Sequence, residues 1–230
     1  YLQSRIFFMD KVTLADVSSQ VAQVWIAGEA SIPGLSAIPA AGEITEGEIG
    51  GVPVRAIGIS PALGGGALLL ADAGAGDYLA DQLSAAGAHV LTPSDYEVWR
   101  VEQGLPGPQG ELTGDFTPLE VALGEAVSGE KGCYTGQEII ARQITYDKIT
   151  RRLVGLRLDG PVAPGDSVEV EGRSAGAITS AVESPRLGPI ALAVLKRPHN
   201  QPGTPVRVIN QGRPIGGATA ALPFEVSSRA

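Results

Sequence analysis

The chain has 230 residues, 43% of them hydrophobic, which is enough for one large or two small domains with buried cores. Its net charge of -8 excludes broad nonspecific nucleic-acid binding, which requires a basic surface. A single cysteine excludes an internal disulfide and any cysteine-rich metal or cluster site built by this chain alone. It also fits a reducing compartment, so a cytosolic (cytoplasmic) or organelle-matrix setting is expected.

The 31 Gly and 17 Pro are scattered without period and imply many turns between short strands. Apolar runs such as Ile190 to Leu195 are too short to cross a bilayer, and no signal peptide opens the chain, so no membrane partner is expected. The first residue is Tyr1 rather than an initiator methionine, which leads us to expect a preceding segment.

In chain order, Lys11 to Val17 and Val21 to Ala27 are rich in Val and Thr and read as strands, as do Val52 to Ile59 and Ala67 to Ala71. Tyr78, Leu79, Leu83 and Ala86 recur at helical spacing from Asp77, and Gly87 closes that helix. His89 to Leu91 is expected to follow as a strand. Ser94 and Glu97 have capping-box spacing for a helix Asp95 to Gln103, with Gly104 as its stop. On that helix Trp99 and Glu102 are three apart and share a face. The face is either plain surface or the wall of a pocket. In the second case the Glu102 carboxylate is suited to accept two N–H donors from a planar heterocycle. Thr117-Pro118-Leu119-Glu120 has the composition of a short helix start.

The stretch Lys131-Gly132-Cys133-Tyr134-Thr135-Gly136-Gln137-Glu138 reads as a loop running into a helix, with Thr135 and Glu138 at capping-box spacing. Cys133 is either a small buried residue or, beside Lys131 and a positive helix start, an exposed thiol with a lowered pKa. Between Lys131 and Arg157 stand six basic residues, Arg142 and Arg152 among them, against Glu138 and Asp147. This is either a solvated face or a site for an anion. His89 and His199 have no motif around them.

Beyond Asp147 the helical period disappears. Arg151 to Leu158, Ser167 to Val170, Gly176 to Ala181, Ile190 to Val194, Val206 to Ile209 and Gly217 to Ala221 read as short strands of a small antiparallel barrel. The expected fold class is therefore α+β, with an α/β region over 1–148 and a β-barrel over 149–230.

K-G-C-Y-T-G-Q-E resembles the signature of the YgfZ-type folate-binding proteins, relatives of the glycine-cleavage T-protein. Trp99 to Pro106 resembles the R-x-E-x-G-x-P segment of the T-protein family. Glu111-Leu112-Thr113, Thr117 to Glu120 and the strands around Gly176 and Ile190 extend the likeness.

The resemblance implies a T-protein-like α/β folate-binding region followed by the barrel. It also implies tetrahydrofolate or a one-carbon derivative as cofactor, with Glu102 as pterin acceptor. Trp99, Tyr134, Gln137, Arg142 and Arg152 become candidate binding residues, and Cys133 and Lys131 the candidate reactive pair. The implied role is accessory: support of iron-sulfur cluster assembly or repair in client enzymes, with an effect on tRNA modification but no direct nucleic-acid binding. An active one-carbon transferase and a noncatalytic interaction module are the alternatives. Two departures argue against an aminomethyltransferase. The T-protein's pterin-orienting aspartate belongs upstream of Tyr1, and its Y-T-G-E-D-G turn is replaced here by Ser60-Pro61-Ala62-Leu63-Gly64-Gly65.

Overall fold

The computed structural model describes residues 2–28 and 32–225, which divide into two compact units, one to Val90 and one from Leu91. No helix among the described residues is long and apolar enough to cross a membrane.

In the first unit, β1 (Val21–Ile26), β2 (Ile44–Ile49), β3 (Val52–Gly58) and β4 (Ala67–Asp72) form an antiparallel sheet of order β1-β4-β3-β2. Helix α1 (Gly76–Ala85) packs against it. Alternation sets the two faces: along β3, Val54 and Ala56 are buried while Pro53 and Arg55 are exposed. Leu79 and Leu83, one helical turn apart on α1, close the core over Ile26, Ile49, Val54 and Leu69.

Two expected strands are absent. Lys11 to Val17 is exposed throughout and has no strand assignment, and at 89–91 Val90 is 71% and Leu91 46% exposed. High β-propensity does not make a strand where no neighbouring strand supplies hydrogen bonds and cover. Conversely, β2 carries two Glu and a Gly, a poor strand composition that an edge position tolerates. Its register is set by the two-residue Gly50-Gly51 turn, both at positive φ, which pairs Ile49 with Val52.

The second unit is built on a closed barrel of order β10-β5-β8-β7-β6-β9. Its strands are β5 (Arg151–Leu158), β6 (Ser167–Val170), β7 (Arg173–Ser184), β8 (Gly188–Lys196), β9 (Pro205–Asn210) and β10 (Arg213–Ala220), so all six expected barrel strands form. Strand β8 is apolar on both faces. Ala191, Ala193 and Leu195 point into the barrel with Leu156, Ile178 and Val208, whereas Ile190, Leu192 and Val194 join an outer cluster with Val101, Val121 and Phe224. That outer cluster seats helix α2 (Pro93–Gln103) against β7 and β8. Residues 91–148 thus pack with the barrel, and the 148/149 boundary expected from the sequence marks the start of the barrel strands rather than the edge of the compact unit.

The helix starts differ from expectation by one or two residues. The residue before a proline is driven to extended geometry, and Thr92 takes it (φ -69°, ψ 163°), so α2 begins at Pro93. Its capping box is Thr92 with Asp95 rather than Ser94 with Glu97. Helix α3 (Gln137–Thr145) starts after Gly136, whose φ of 90° suits glycine, and no side chain caps it. Thr135 is left outside the cap, and the Tyr134 amide instead donates to Gln137 Oε1 at 3.3 Å. Thr117 to Glu120 is a turn rather than a helix, although the Thr117 amide does donate to the Glu120 carboxylate at 3.0 Å.

Candidate functional site

Helix α2 delivers Arg100 and Glu102 to the barrel, both buried, on either side of the core residue Val101. Two buried polar residues flanking an apolar one are tolerable only where each finds partners, and both do. The Arg100 guanidinium donates to Leu105 O (2.6 Å), Ser180 Oγ (2.8 Å) and Glu111 Oε2 (3.4 Å), and it pairs with Glu97 on its own helix. Glu111 in turn accepts from Ser180 Oγ (2.8 Å) and the Gly107 amide (2.8 Å). This network ties α2, the 105–111 loop and β7 into one rigid piece.

Glu102 lies at the end of that piece. Its Oε1 accepts from Ser184 Oγ at 2.5 Å, and its Oε2 accepts from the Arg186 guanidinium. Ser184 ends β7 and Arg186 lies in the turn to β8, and the Glu102 backbone carbonyl accepts the Phe224 amide at 2.9 Å. The Glu102 carboxylate is thus fixed and buried, with both oxygens engaged. Trp99, one turn earlier, is half-buried with its ring 5.9 Å from that of Tyr96.

The signature loop surrounds a different feature. A pocket of about 490 Å³ is walled by Phe116, Val127, Lys131, Tyr134, Gly136 and Ile140, among others. The Lys131 ammonium stands 4.9 Å from the centre of the half-buried Tyr134 ring, a cation–π contact at the rim. Cys133 is exposed, and neither it nor Glu102 lines this pocket. Gln137 is half-buried at the first turn of α3, while Arg142 and Arg152 are exposed. Of the basic cluster, Arg151 is spent on structure: it pairs with buried Glu120 through two contacts of 2.9 and 3.0 Å and donates to Asp115 O at 3.0 Å.

Sequence reasoning missed Ser184, Arg186, Ser180 and Glu111 as partners of α2. They lie up to 84 positions away along the chain, where no local period can announce them. The only trace was the polar turn Ser184-Pro185-Arg186 between two apolar strands.

Burial raises the Glu120 carboxyl, but hydrogen bonds from Arg151 and the Thr117 amide, with the Arg151 charge, overcome it and hold the group below its ordinary 4.5. A lowered folded-state value contributes stability that is present in full above the unfolded value and is lost as pH falls through the lowered one. The urea midpoint is therefore expected to fall as pH drops below 4.5, and less steeply in Glu120→Gln. Equal slopes for the two proteins would show that this carboxyl carries none of the acid sensitivity.

Residues 151–224 match the glycine cleavage T-protein C-terminal barrel domain. A chloroplastic protein of Arabidopsis thaliana that carries only a provisional transferase name is 32% identical over 97% of this chain and 53% of its own length. The aminomethyltransferase of Cutibacterium acnes is 31% identical over 93% of this chain and 63% of its own, and that of Saccharopolyspora erythraea is 36% identical over 64% and 41%. The crystal structure of the glycine cleavage system aminomethyltransferase T from Bartonella henselae superposes with a TM-score of 0.66 over 81% of this chain and 53% of that one, at 22% identity, which shows a shared fold. The chain spans roughly half the length of the relatives it matches. Residues 151–224 thus carry the likeness to the T-protein barrel domain, and the chain is similar over 93% of its length to an aminomethyltransferase.

Proposed function

We propose that this chain binds a reduced folate, tetrahydrofolate or a one-carbon derivative, with Glu102 as acceptor for the pterin edge. The observation that carries the reading is the buried Glu102 carboxylate, held by Ser184 and already engaged by a planar guanidinium. A pterin offers its ring N–H and 2-amino group side by side, the donor set such a carboxylate accepts. The chemistry of Glu102 fits that donor set. Trp99 and Tyr134 supply flat apolar surface, Gln137 a polar contact, and exposed Arg142 and Arg152 suit the anionic tail. Kinship to aminomethyltransferases supports a folate ligand.

The second part of the proposal is an accessory role in iron-sulfur cluster assembly or repair for client enzymes, of the YgfZ type, with consequences for tRNA modification. It rests on the K-G-C-Y-T-G-Q-E loop, whose Cys133 thiol is exposed and whose Lys131 stands at a pocket rim. Folate is the small-molecule partner in this reading, the client enzymes are the protein partners, and neither membrane nor nucleic acid is contacted. Aminomethyl transfer to folate is the second reading, favoured by the names of the relatives. Formation of methylene-tetrahydrofolate from an aminomethylated carrier would establish it.

Calorimetric titration of tetrahydrofolate tests the site. Saturable binding is expected, weakened about tenfold or more in Glu102→Ala because the ligand's N–H donors lose a charged acceptor. Rising salt is expected to weaken it further through Arg142 and Arg152. An unchanged affinity in Glu102→Ala removes Glu102 from the site.

Cys133 has its own test. Iodoacetamide is expected to label it in the native protein without denaturant. Cys133→Ser is expected to change stability by no more than about 0.5 kcal/mol, as for surface positions generally, and to leave folate affinity intact while support of iron-sulfur enzymes in a deletion strain is lost. Full complementation by Cys133→Ser would end the thiol's part in the proposal.

A further inference from the structure

We infer that Arg186 is an internal stand-in for the pterin edge: its guanidinium engages Glu102 and has to leave before a folate can dock. The inference rests on the reading of Glu102 as pterin acceptor and adds a residue that sets affinity and specificity at that site.

The two partners of Glu102 differ in kind. Ser184 is 2% exposed and locked into the turn, its Oγ accepting the Arg186 amide at 3.1 Å and the Leu187 amide at 3.0 Å while its hydroxyl proton goes to Glu102 Oε1. It cannot leave without dismantling the turn. Arg186 reaches in from solvent. Its side chain is 54% exposed against 5% for Glu102, and among the described residues the carboxylate is its guanidinium's sole partner. One donor is built in and the other is exchangeable.

The exchangeable donor also has the right chemistry. A guanidinium and a 2-aminopyrimidinone share a planar N–C–N unit that presents neighbouring N–H groups to a carboxylate. A buried carboxylate with only Ser184 for company is unfavourable, so some donor of this type has to cover Oε2 in every state. Folate binding then exchanges one planar donor for another. The apparent affinity is lowered by the fraction of molecules in which Arg186 is in place. Specificity follows from the same exchange, because a ligand without an N–H donor for Oε2 cannot replace the contact it displaces.

Titration of tetrahydrofolate into the full chain and its Arg186→Lys and Arg186→Gln variants tests this, with melting curves confirming that each is folded. Arg186→Lys keeps a positive charge near Glu102 but lacks the planar pair of donors. Both variants are expected to bind about three- to tenfold more tightly than the parent, the factor by which the competing state is relieved. Glu102→Gln is expected to bind weakly in either background. Equal or weaker binding in both Arg186 variants, with Glu102→Gln still defective, overturns the inference and leaves the folate reading standing, Arg186 then being a positioning residue. Loss of the Glu102 dependence, or no binding by the parent, sinks the folate reading and the inference with it. Should neither variant fold, the Arg186 side-chain nitrogen resonances of the parent decide: movement to the free-arginine position on adding tetrahydrofolate supports displacement, and no change refutes it.

Discussion

Replacing Glu111 with alanine is expected to destabilise the protein by about 3–5 kcal/mol, the range for removing one partner from a buried ion pair. The side chains of Glu111 and Arg100 are 0% and 4% exposed, so water cannot take over the vacated contacts. Three donors lose their acceptor together: the Arg100 guanidinium, the Ser180 hydroxyl and the Gly107 amide. Gly107 also leaves no slack, since a Cβ there would stand 2.7 Å from Arg100 Cζ. Urea unfolding followed by circular dichroism measures the loss, and a value under about 1 kcal/mol would mean that Glu97 and Leu105 O suffice for Arg100. The Arg55–Glu46 pair is the control. Its side chains are 69% and 75% exposed, and Glu46→Ala is expected to change stability within error. Because Val101 and Glu102 follow Arg100 directly on α2, loosening this network is also expected to blur the position of the candidate acceptor.

These dependencies explain what was legible in the sequence. The barrel was, because each strand carries its own pattern and short turns join β6 to β7, β7 to β8 and β9 to β10; even the doubly apolar β8 announced itself as the run Ile190 to Leu195. Helix α2 was legible as an element, and its start was misplaced by reading Ser94 for Thr92, although Pro93 held the correct signal. The hairpin of β2 and β3 was also written in the sequence, in Gly50-Gly51, but the acidic composition of Ile44 to Ile49 obscured it. Lys11 to Val17 failed in the opposite way, with strand-like residues and no pairing neighbour among the described residues. At the site, Glu102 and Cys133 could be singled out by motif. That Glu102 is shared between Ser184 and Arg186, or that Arg151 is committed to Glu120, depends on contacts across 82 and 31 positions. Such pairings follow from barrel closure and from no local rule.

The second large effect is expected at Gly66, in the turn where Ser60 to Gly65 departs from the T-protein pattern. Gly64, Gly65 and Gly66 have φ of 100°, 68° and 80°, three consecutive left-handed residues leading into β4. Pro61–Leu63 forms a 3-10 turn capped by Ser60, and the glycines then reverse the chain so that Ala67 pairs with Ile26. Gly65 and Gly66 separate two costs that usually come together. A Cβ on Gly65 would have nothing nearer than Pro61 Cα at 3.8 Å, so Gly65→Ala is expected to cost only the backbone conformation, about 1–2 kcal/mol. On Gly66 it would lie 1.9 Å from the Ile26 carbonyl oxygen, a backbone atom at the end of β1, so the β1–β4 pairing has to open as well. Gly66→Ala is expected to cost more than about 3 kcal/mol, conformational strain with lost ladder hydrogen bonds added. Urea midpoints of the two variants measure the difference, and amide exchange at Ala67 and Leu68 locates it. Equal losses at the two positions would show that the turn relaxes without disturbing β1, and that strain in φ alone selects its glycines.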